Sequence, residues 1–172
     1  MATLQMNILS LRLGMQMNFS VYLPSYVPSK ENAEKSYQEI YPRDAKFRTL
    51  WLLPSQYGDD RELIENTAIL RYAEKAGVAV VFPCPLNRQY SNEYPGQKFL
   101  DFITDELWTV CHGTFALSER REDNYIGGIS LGAYGALKIA SVTASGFSIQ
   151  AGGTTPNSAK PIAWQAIGPA AV

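Results

Sequence analysis

Acid, base and metal-binding side chains are scarce in this sequence, and they are spread unevenly. Its 172 residues include one histidine, His112, and two cysteines, Cys84 and Cys111. One imidazole and two distant thiols do not make a tetrahedral site, so no metal is expected. Neither cysteine belongs to a C-x-x-C pair, and two thiols in a chain of this size do not form a disulfide framework. Both read as reduced, packed thiols in a cytoplasmic protein. The net charge is −1 with no basic run, so nucleic acid is not an expected partner. No apolar run approaches the length of a membrane span. The N-terminus "MATLQMNILSLRLGMQMNFSVYLP" interleaves polar residues where a signal peptide needs an unbroken apolar stretch, so neither membrane nor leader is expected. Beyond Asp123 there is no Asp, no Glu and no His, and from residue 139 onward the only charge is Lys160.

What is present reads as a folded domain. Hydrophobic residues make up 46% of the chain and charged residues 18%, a globular balance in a length that can bury a real core. Residues 5–10 and 15–23 predict two strands around a turn at Gly14, since "MNFSVYLP" alternates β-branched and aromatic residues. Pro24, Pro28 and Pro42 mark 24–46 as loop. "FRTLWLL", 47–53, predicts a strand, followed by a polar loop over 54–61. Ala68, Ile69, Tyr72, Ala73 and Ala76 recur at helical spacing, predicting a helix over 67–77 that ends at Gly77. "VAVVF", 78–82, is the unbroken apolar run of a strand buried on both faces. A long loop, 83–96, leads to a helix over 98–111 with Phe99, Phe102, Ile103, Leu107 and Val110 on its buried stripe. A strand over 124–129, a helix over 132–142 and a short strand over 147–152 complete the order. Beyond 152 only a short turn around Ile162–Ile167 is expected. The organisation is therefore 1–152 as a domain and 153–172 as an irregular tail.

A hairpin followed by β-α-β-α-β-α-β predicts an α/β fold: a mostly parallel sheet with an N-terminal antiparallel hairpin and helices on both faces. Ligands of such sheets bind at the carboxyl ends of the strands. Gly128-Ile129-Ser130-Leu131-Gly132 lies at one of those ends, and it is a G-x-S-x-G motif between a predicted strand and a helix of small residues. That arrangement puts a serine on a sharp turn with its hydroxyl above the sheet. Gly128 and Gly132 flank it because strand and helix approach too closely for a Cβ. The helix N-terminus adds positive partial charge, and the Leu131 N–H is placed to donate to a developing oxyanion.

"REDNYIGGISLGAYGALKIA" resembles the esterase D group of α/β-hydrolases, which includes tributyrin-type esterases and S-formylglutathione hydrolases. "NFSVYLP", "LWLLP", "ILRYAEKAGVAVVFP" and "FLDFITDELWTVC" match in the same order, so the resemblance covers roughly residues 5–150. It implies an α/β-hydrolase fold, a serine carboxylesterase acting on a small-molecule acyl ester, and no cofactor. Ser130 is then the nucleophile, and Leu131 gives one oxyanion N–H. Two departures stand out. The family usually carries His-Gly after the strand equivalent to "WLL"; here Pro54 and Ser55 follow, and the second oxyanion N–H is expected from Gln56 or its neighbour. The family's acid and histidine lie downstream of the serine, in the order Ser…Asp/Glu…His; here neither is found.

His112 does not replace them on geometric grounds. It ends a helix that runs antiparallel to the next strand, so it sits at the start of that strand, ~20 Å from Ser130 at the usual rise per residue. A general base must come within about 3 Å. His112 reads instead as a helix C-terminal residue bonding the last carbonyls. Asp59 and Asp60 read as part of a solvated loop, Tyr134 as packing on a strand, and "SERRED", 118–123, as a solvated turn. The expectation is an esterase-type chain that ends, or loses its frame, before its acid and histidine, with impaired turnover and the C-terminal part of the fold missing. The alternative is a non-catalytic pseudo-esterase or acyl-binding module. An uncovered sheet edge favours self-association in either case.

Overall fold

Alternation within the central strands decides which layer each side chain joins. In β3 (Arg48–Leu53) Trp51 and Leu53 face one layer, while Leu50 and Leu52 face the other. In β4 (Val78–Pro83) Ala79 and Val81 oppose Val80 and Phe82 in the same way, and five of its six residues are buried. This is the two-sided burial that its apolar run requires. The computed structural model describes residues 2–25, 34–40, 44–93, 96–143, 148–154 and 161–166.

The sheet order is β1-β2-β4-β3-β5-β6-β7. β1 (Ala2–Ser10) and β2 (Met15–Leu23) form the N-terminal antiparallel hairpin in an unbroken register from Ala2↔Leu23 to Ser10↔Met15. β2 pairs antiparallel with β4, and β4, β3, β5 (Asn124–Gly128) and β6 (Ser148–Thr154) are parallel neighbours. β7 (Pro161–Ala166) returns antiparallel beside β6. The tail thus carries a strand where composition predicts only a turn. Pairing with β6 supplies the backbone partners that its local sequence does not advertise.

Helices cover both faces. On one, α4 (Phe99–Asp101) continues through a π-helical turn (Phe102–Leu107) into α5 (Trp108–Thr114), and α6 (Leu131–Val142) lies alongside. Phe99, Phe102, Ile103, Leu107, Cys111, Ala136 and Ile139 are buried there against Phe19, Val21, Trp51 and Val81. On the other, α2 (Glu62–Asn66) and α3 (Ile69–Ala76) cover Tyr22, Val80 and Phe82 with Leu63, Ile69, Leu70 and Ala73. The helix expected over 67–77 is α3 alone, since Thr67 is extended and separates it from α2. Gly77 ends it at φ 62°, its N–H returning to the carbonyls of Ala73 and Glu74. A short helix, α1 (Tyr37–Ile40), lies in the stretch expected to be loop over 24–46; the rest of that stretch falls partly outside the described residues.

Candidate active site

Backbone strain converges on one place. Five non-glycine residues have positive φ among the described residues: Tyr57, Leu86, Asn87, Tyr90 and Ser130. All lie in the three connections leaving the carboxyl ends of β3, β4 and β5, which are neighbouring strands. Each left-handed residue without special support costs of order 1–3 kcal/mol, and such strain gathers where a structure holds groups in place for a ligand.

Ser130 stands between β5 and α6 at φ 54°, ψ −117°, and is exposed. Its neighbours show why glycine flanks it. A Cβ on Gly128 would lie 2.3 Å from the Gly132 carbonyl carbon, and a Cβ on Gly132 would lie 2.2 Å from Leu53 O and 2.4 Å from Pro54 O. These are backbone atoms, so nothing cheap can yield. The turn is also tied to β3 by the Ile129 N–H, which donates to Leu53 O at 3.2 Å. The next N–H groups belong to the helix: Gly132 donates to Ile129 O and Ala133 to Ser130 O, at 2.9 and 3.0 Å. Leu131 opens α6, and the N–H of a first helical residue has no partner within the helix.

The β3–α2 connection lies against this turn, and the amides of residues 54–58 can be followed in order. Pro54 has none. Ser55 N–H donates to Glu62 Oε2 at 2.9 Å, Tyr57 N–H to Asn87 Oδ1, and Gly58 N–H to Ser55 O at 3.2 Å. Gln56 N–H is left without an acceptor among the described residues, on an exposed residue. Elements distant in sequence thus bring Ser130, Leu131 and Gln56 to one end of the sheet.

The other candidates are placed elsewhere. His112 sits at the opposite end of β5. Its Nδ1 lies 2.8 Å from Trp108 O and its Nε2 3.1 Å from Ser118 O, and Ser118 O also accepts from Asn124 Nδ2. Its ring lies 4.0 Å, centroid to centroid, from that of Trp108. Asp59 and Asp60 are not a solvated pair. Asp59 Oδ1 accepts the N–H groups of Arg61 and Glu62 at 2.8 and 3.0 Å, and Asp60 is buried, accepting from Ser20 Oγ at 2.6 Å. Tyr134 is exposed beside Lys138, whose Nζ lies 5.7 Å from the ring centroid, rather than packed on a strand. In 118–123, Ser118 is buried and donates to Asp123 Oδ2 at 2.6 Å, so that turn is braced from within.

Tyr90 is the residue that sequence reasoning missed. It is fully buried at φ 50°, and a Cβ on Gly135 would meet its ring at 2.4 Å. It therefore holds the β4–α4 connection against the first turns of α6. Its hydroxyl has no hydrogen-bond partner among the described residues. Burial first, then the Cys84 and Glu62 charges, raise its ionisation above the usual tyrosine range. The only sequence signal was Gly135, whose missing side chain is the space the ring fills. Both thiols are free. Burial pushes Cys111 up to about 12, and burial also raises the half-buried Cys84. No cluster of metal-ligating side chains occurs among the described residues.

A sheet with parallel central strands, helices on both faces and a positive-φ serine between strand and helix at its carboxyl end defines an α/β-hydrolase fold. The Esterase family model matches residues 10–165, and the chain belongs to that family. It is 29% identical over 139 residues to an acetyl esterase of Caldicellulosiruptor saccharolyticus, covering 80% of this chain and 50% of that protein. Among solved structures it is similar to a substrate-bound fluorophosphonate-binding serine hydrolase F of Staphylococcus aureus, with 31% identity and a TM-score of 0.71. That match covers 86% of this chain and 54% of the other. It is also similar to an S-formylglutathione hydrolase of Staphylococcus aureus, with 30% identity, a TM-score of 0.68 and the same coverage. The chain therefore spans about half the length of these relatives.

Proposed function

We propose that this chain carries the nucleophile and oxyanion donors of a carboxylic ester hydrolase acting on short-chain acyl esters. The observation that carries the reading is Ser130 at φ 54°, seated between two glycines that backbone atoms exclude from any substitution. Its Oγ attacks the acyl carbonyl, and the oxyanion is received by the N–H groups of Leu131 and Gln56. The alcohol leaves with a proton, and water then cleaves the acyl-enzyme to the acid. The reaction needs no cofactor. The relatives' names, an acetyl esterase and an S-formylglutathione hydrolase, support small acyl groups.

The serine's proton has no evident acceptor in this sequence. No Asp, Glu or His follows Asp123, and the His112 ring lies against the Trp108 and Ser118 carbonyls at the far end of β5. Loss of triad members costs orders of magnitude in rate while binding and the oxyanion hole retain some catalysis. The chain on its own is thus a slow hydrolase whose serine still reacts with an acylating or phosphonylating agent. The test is incubation with a fluorophosphonate, intact-mass detection of the adduct, and hydrolysis of a short-chain chromogenic ester, with Ser130→Ala as control. An adduct at Ser130 with weak turnover supports the reading. Tight binding of acyl compounds without any adduct supports the non-catalytic acyl-binding alternative, and rapid turnover that survives Ser130→Ala overturns both.

The same reading includes self-association through a sheet edge. β1 carries no charge and no proline over nine residues, and its outer side is unpaired among the described residues. Such an edge lacks the usual protections against pairing with another chain.

A further inference from the structure

We propose that Glu62 is the positioning residue of the oxyanion loop, holding the β3–α2 connection in the form that leaves the Gln56 N–H free to face an acyl oxygen. The inference rests on the reading of Ser130 and Gln56 above and extends it to a residue outside the motif.

Both carboxylate oxygens of Glu62 engage one residue of that loop. Oε2 accepts the Ser55 N–H at 2.9 Å, and Oε1 accepts from Ser55 Oγ. A two-point grip fixes the Ser55 peptide in orientation as well as position, and the next amide along is that of Gln56. The carboxylate also fills the inside of the turn: a Cβ on Gly58 would lie 1.9 Å from Glu62 Oε2. The loop is thus wrapped around this group, and a side chain at 58 would have to displace the carboxylate. Glu62 is in turn anchored from behind. It is the first residue of α2, its own N–H is held by Asp59 Oδ1 at 3.0 Å, and Leu63 beside it is buried.

The accounting of amides makes the consequence specific. With Ser55 N–H taken by Glu62, Tyr57 N–H by Asn87 and Gly58 N–H by Ser55, the loop is held on both sides of residue 56 and leaves the Gln56 N–H unbonded between bonded neighbours. A Pro-Ser sequence has no intrinsic reason to hold that shape, because Ser55 could bond its own backbone or water instead. A charged acceptor on a helix start supplies the reason, since hydrogen bonds to an ionised group are the stronger kind.

The experiment compares Glu62→Ala, Glu62→Gln and Glu65→Ala in the rate of Ser130 phosphonylation by a fluorophosphonate, at matched folded fraction by circular dichroism. Glu62→Ala is expected to slow the reaction by roughly tenfold or more, towards the factor of ~100 seen on losing an oxyanion donor. Glu62→Gln is expected to remain within about threefold of wild type, because an amide can accept from the Ser55 N–H and donate to its hydroxyl. Glu65→Ala, which removes an exposed carboxylate paired with Arg61 on the same helix, is expected to react like wild type. A Glu62→Ala protein that reacts at the wild-type rate overturns the proposal, as does a Glu62→Gln protein that falls as far as the alanine variant. If Glu62→Ala does not fold, Ser55→Ala carries the test by removing one of the two bonds, and an unchanged rate is then the contrary result. A wild-type protein that forms no adduct at Ser130 overturns the nucleophile reading itself and takes the Glu62 proposal with it. Adduct formation that ignores Glu62 removes the proposal alone.

Discussion

A serine hydroxyl is ordinary chemistry; what distinguishes Ser130 is the backbone under it. At φ 54°, ψ −117° an L-residue crowds its own Cβ, and the position is kept because Gly128, Gly132 and the Leu53 and Pro54 carbonyls leave the chain no other course. That strain should be measurable. Ser130→Ala removes the hydroxyl and keeps the Cβ, whereas Ser130→Gly removes both. The glycine variant is expected to be more stable than the alanine variant by about 1 kcal/mol, since positive φ costs glycine little. Urea denaturation of the two proteins checks this. Alanine at least as stable as glycine would mean the turn is unstrained. The result separates fold from chemistry, because both variants lack the reacting oxygen.

At the scale of elements, the site is made of three connections rather than of strands or helices. The β3–α2, β4–α4 and β5–α6 connections hold every positive-φ non-glycine residue among those described; Asn87 ties the first two directly, Tyr90 packs against Gly135 of α6, and the Ile129 N–H ties the third to Leu53 O at the end of β3. α2 is the least self-sufficient piece. Its five residues bury only Leu63, so its start depends on Asp59. Asp59→Ala is expected to cost about 1 kcal/mol, the usual worth of a carboxylate at a helix start. It should also loosen Glu62 and with it the loop. Thermal unfolding and the amide exchange of Ser55 report the two effects separately. Loss of stability with undiminished protection at Ser55 would show that Glu62 is held by tertiary packing alone.

At the scale of the molecule, two of the outward-facing apolar features among the described residues bear on the site and on association. One is an open hollow of about 390 Å³ beside the site, lined by Leu50, Leu52, Leu63, Tyr72 and Ile129. The other is the β1 edge. An antiparallel pairing of two β1 strands centred on Met6 sets Leu4 opposite Ile8, Gln5 opposite Asn7 and Thr3 opposite Leu9, with no charge anywhere along it. Leu9 is 60% exposed, so a charge there does not enter the core. The double substitution Thr3→Lys and Leu9→Lys puts like charges opposite each other in that pairing, a destabilising arrangement in a sheet. The wild type is expected to sediment above the monomer mass at micromolar concentration and the double variant as a monomer. A wild type that sediments as a monomer excludes the edge as a contact.

Much of this was legible in the sequence for local physical reasons. The unbroken apolar run 78–82, bounded by Gly77 and Pro83, reads as a strand covered on both faces, and the two glycines around Ser130 announce a close approach of backbones. Spacing also showed that His112 lies a strand's length from Ser130. α2 was missed because five residues with one buried side chain carry no periodicity, and β7 because its pairing partner rather than its composition makes it a strand. Asp60 and Tyr90 were missed for a related reason. A carboxylate in a polar loop looks solvated until Ser20, forty residues earlier, is seen to cover it, and nothing near Tyr90 in sequence says that Gly135 makes room for its ring. The sequence by itself determined the order of the strands β1 to β6 and of the longer helices between them, the strained turn and the lineage, because those follow from local patterns and short motifs. Only the tertiary structure decided which amides of the β3–α2 connection are bonded and which carboxylate takes the Ser55 N–H, because hydrogen bonds such as Ser55 to Glu62 and Tyr57 to Asn87 exist only once separate segments meet at one end of the sheet.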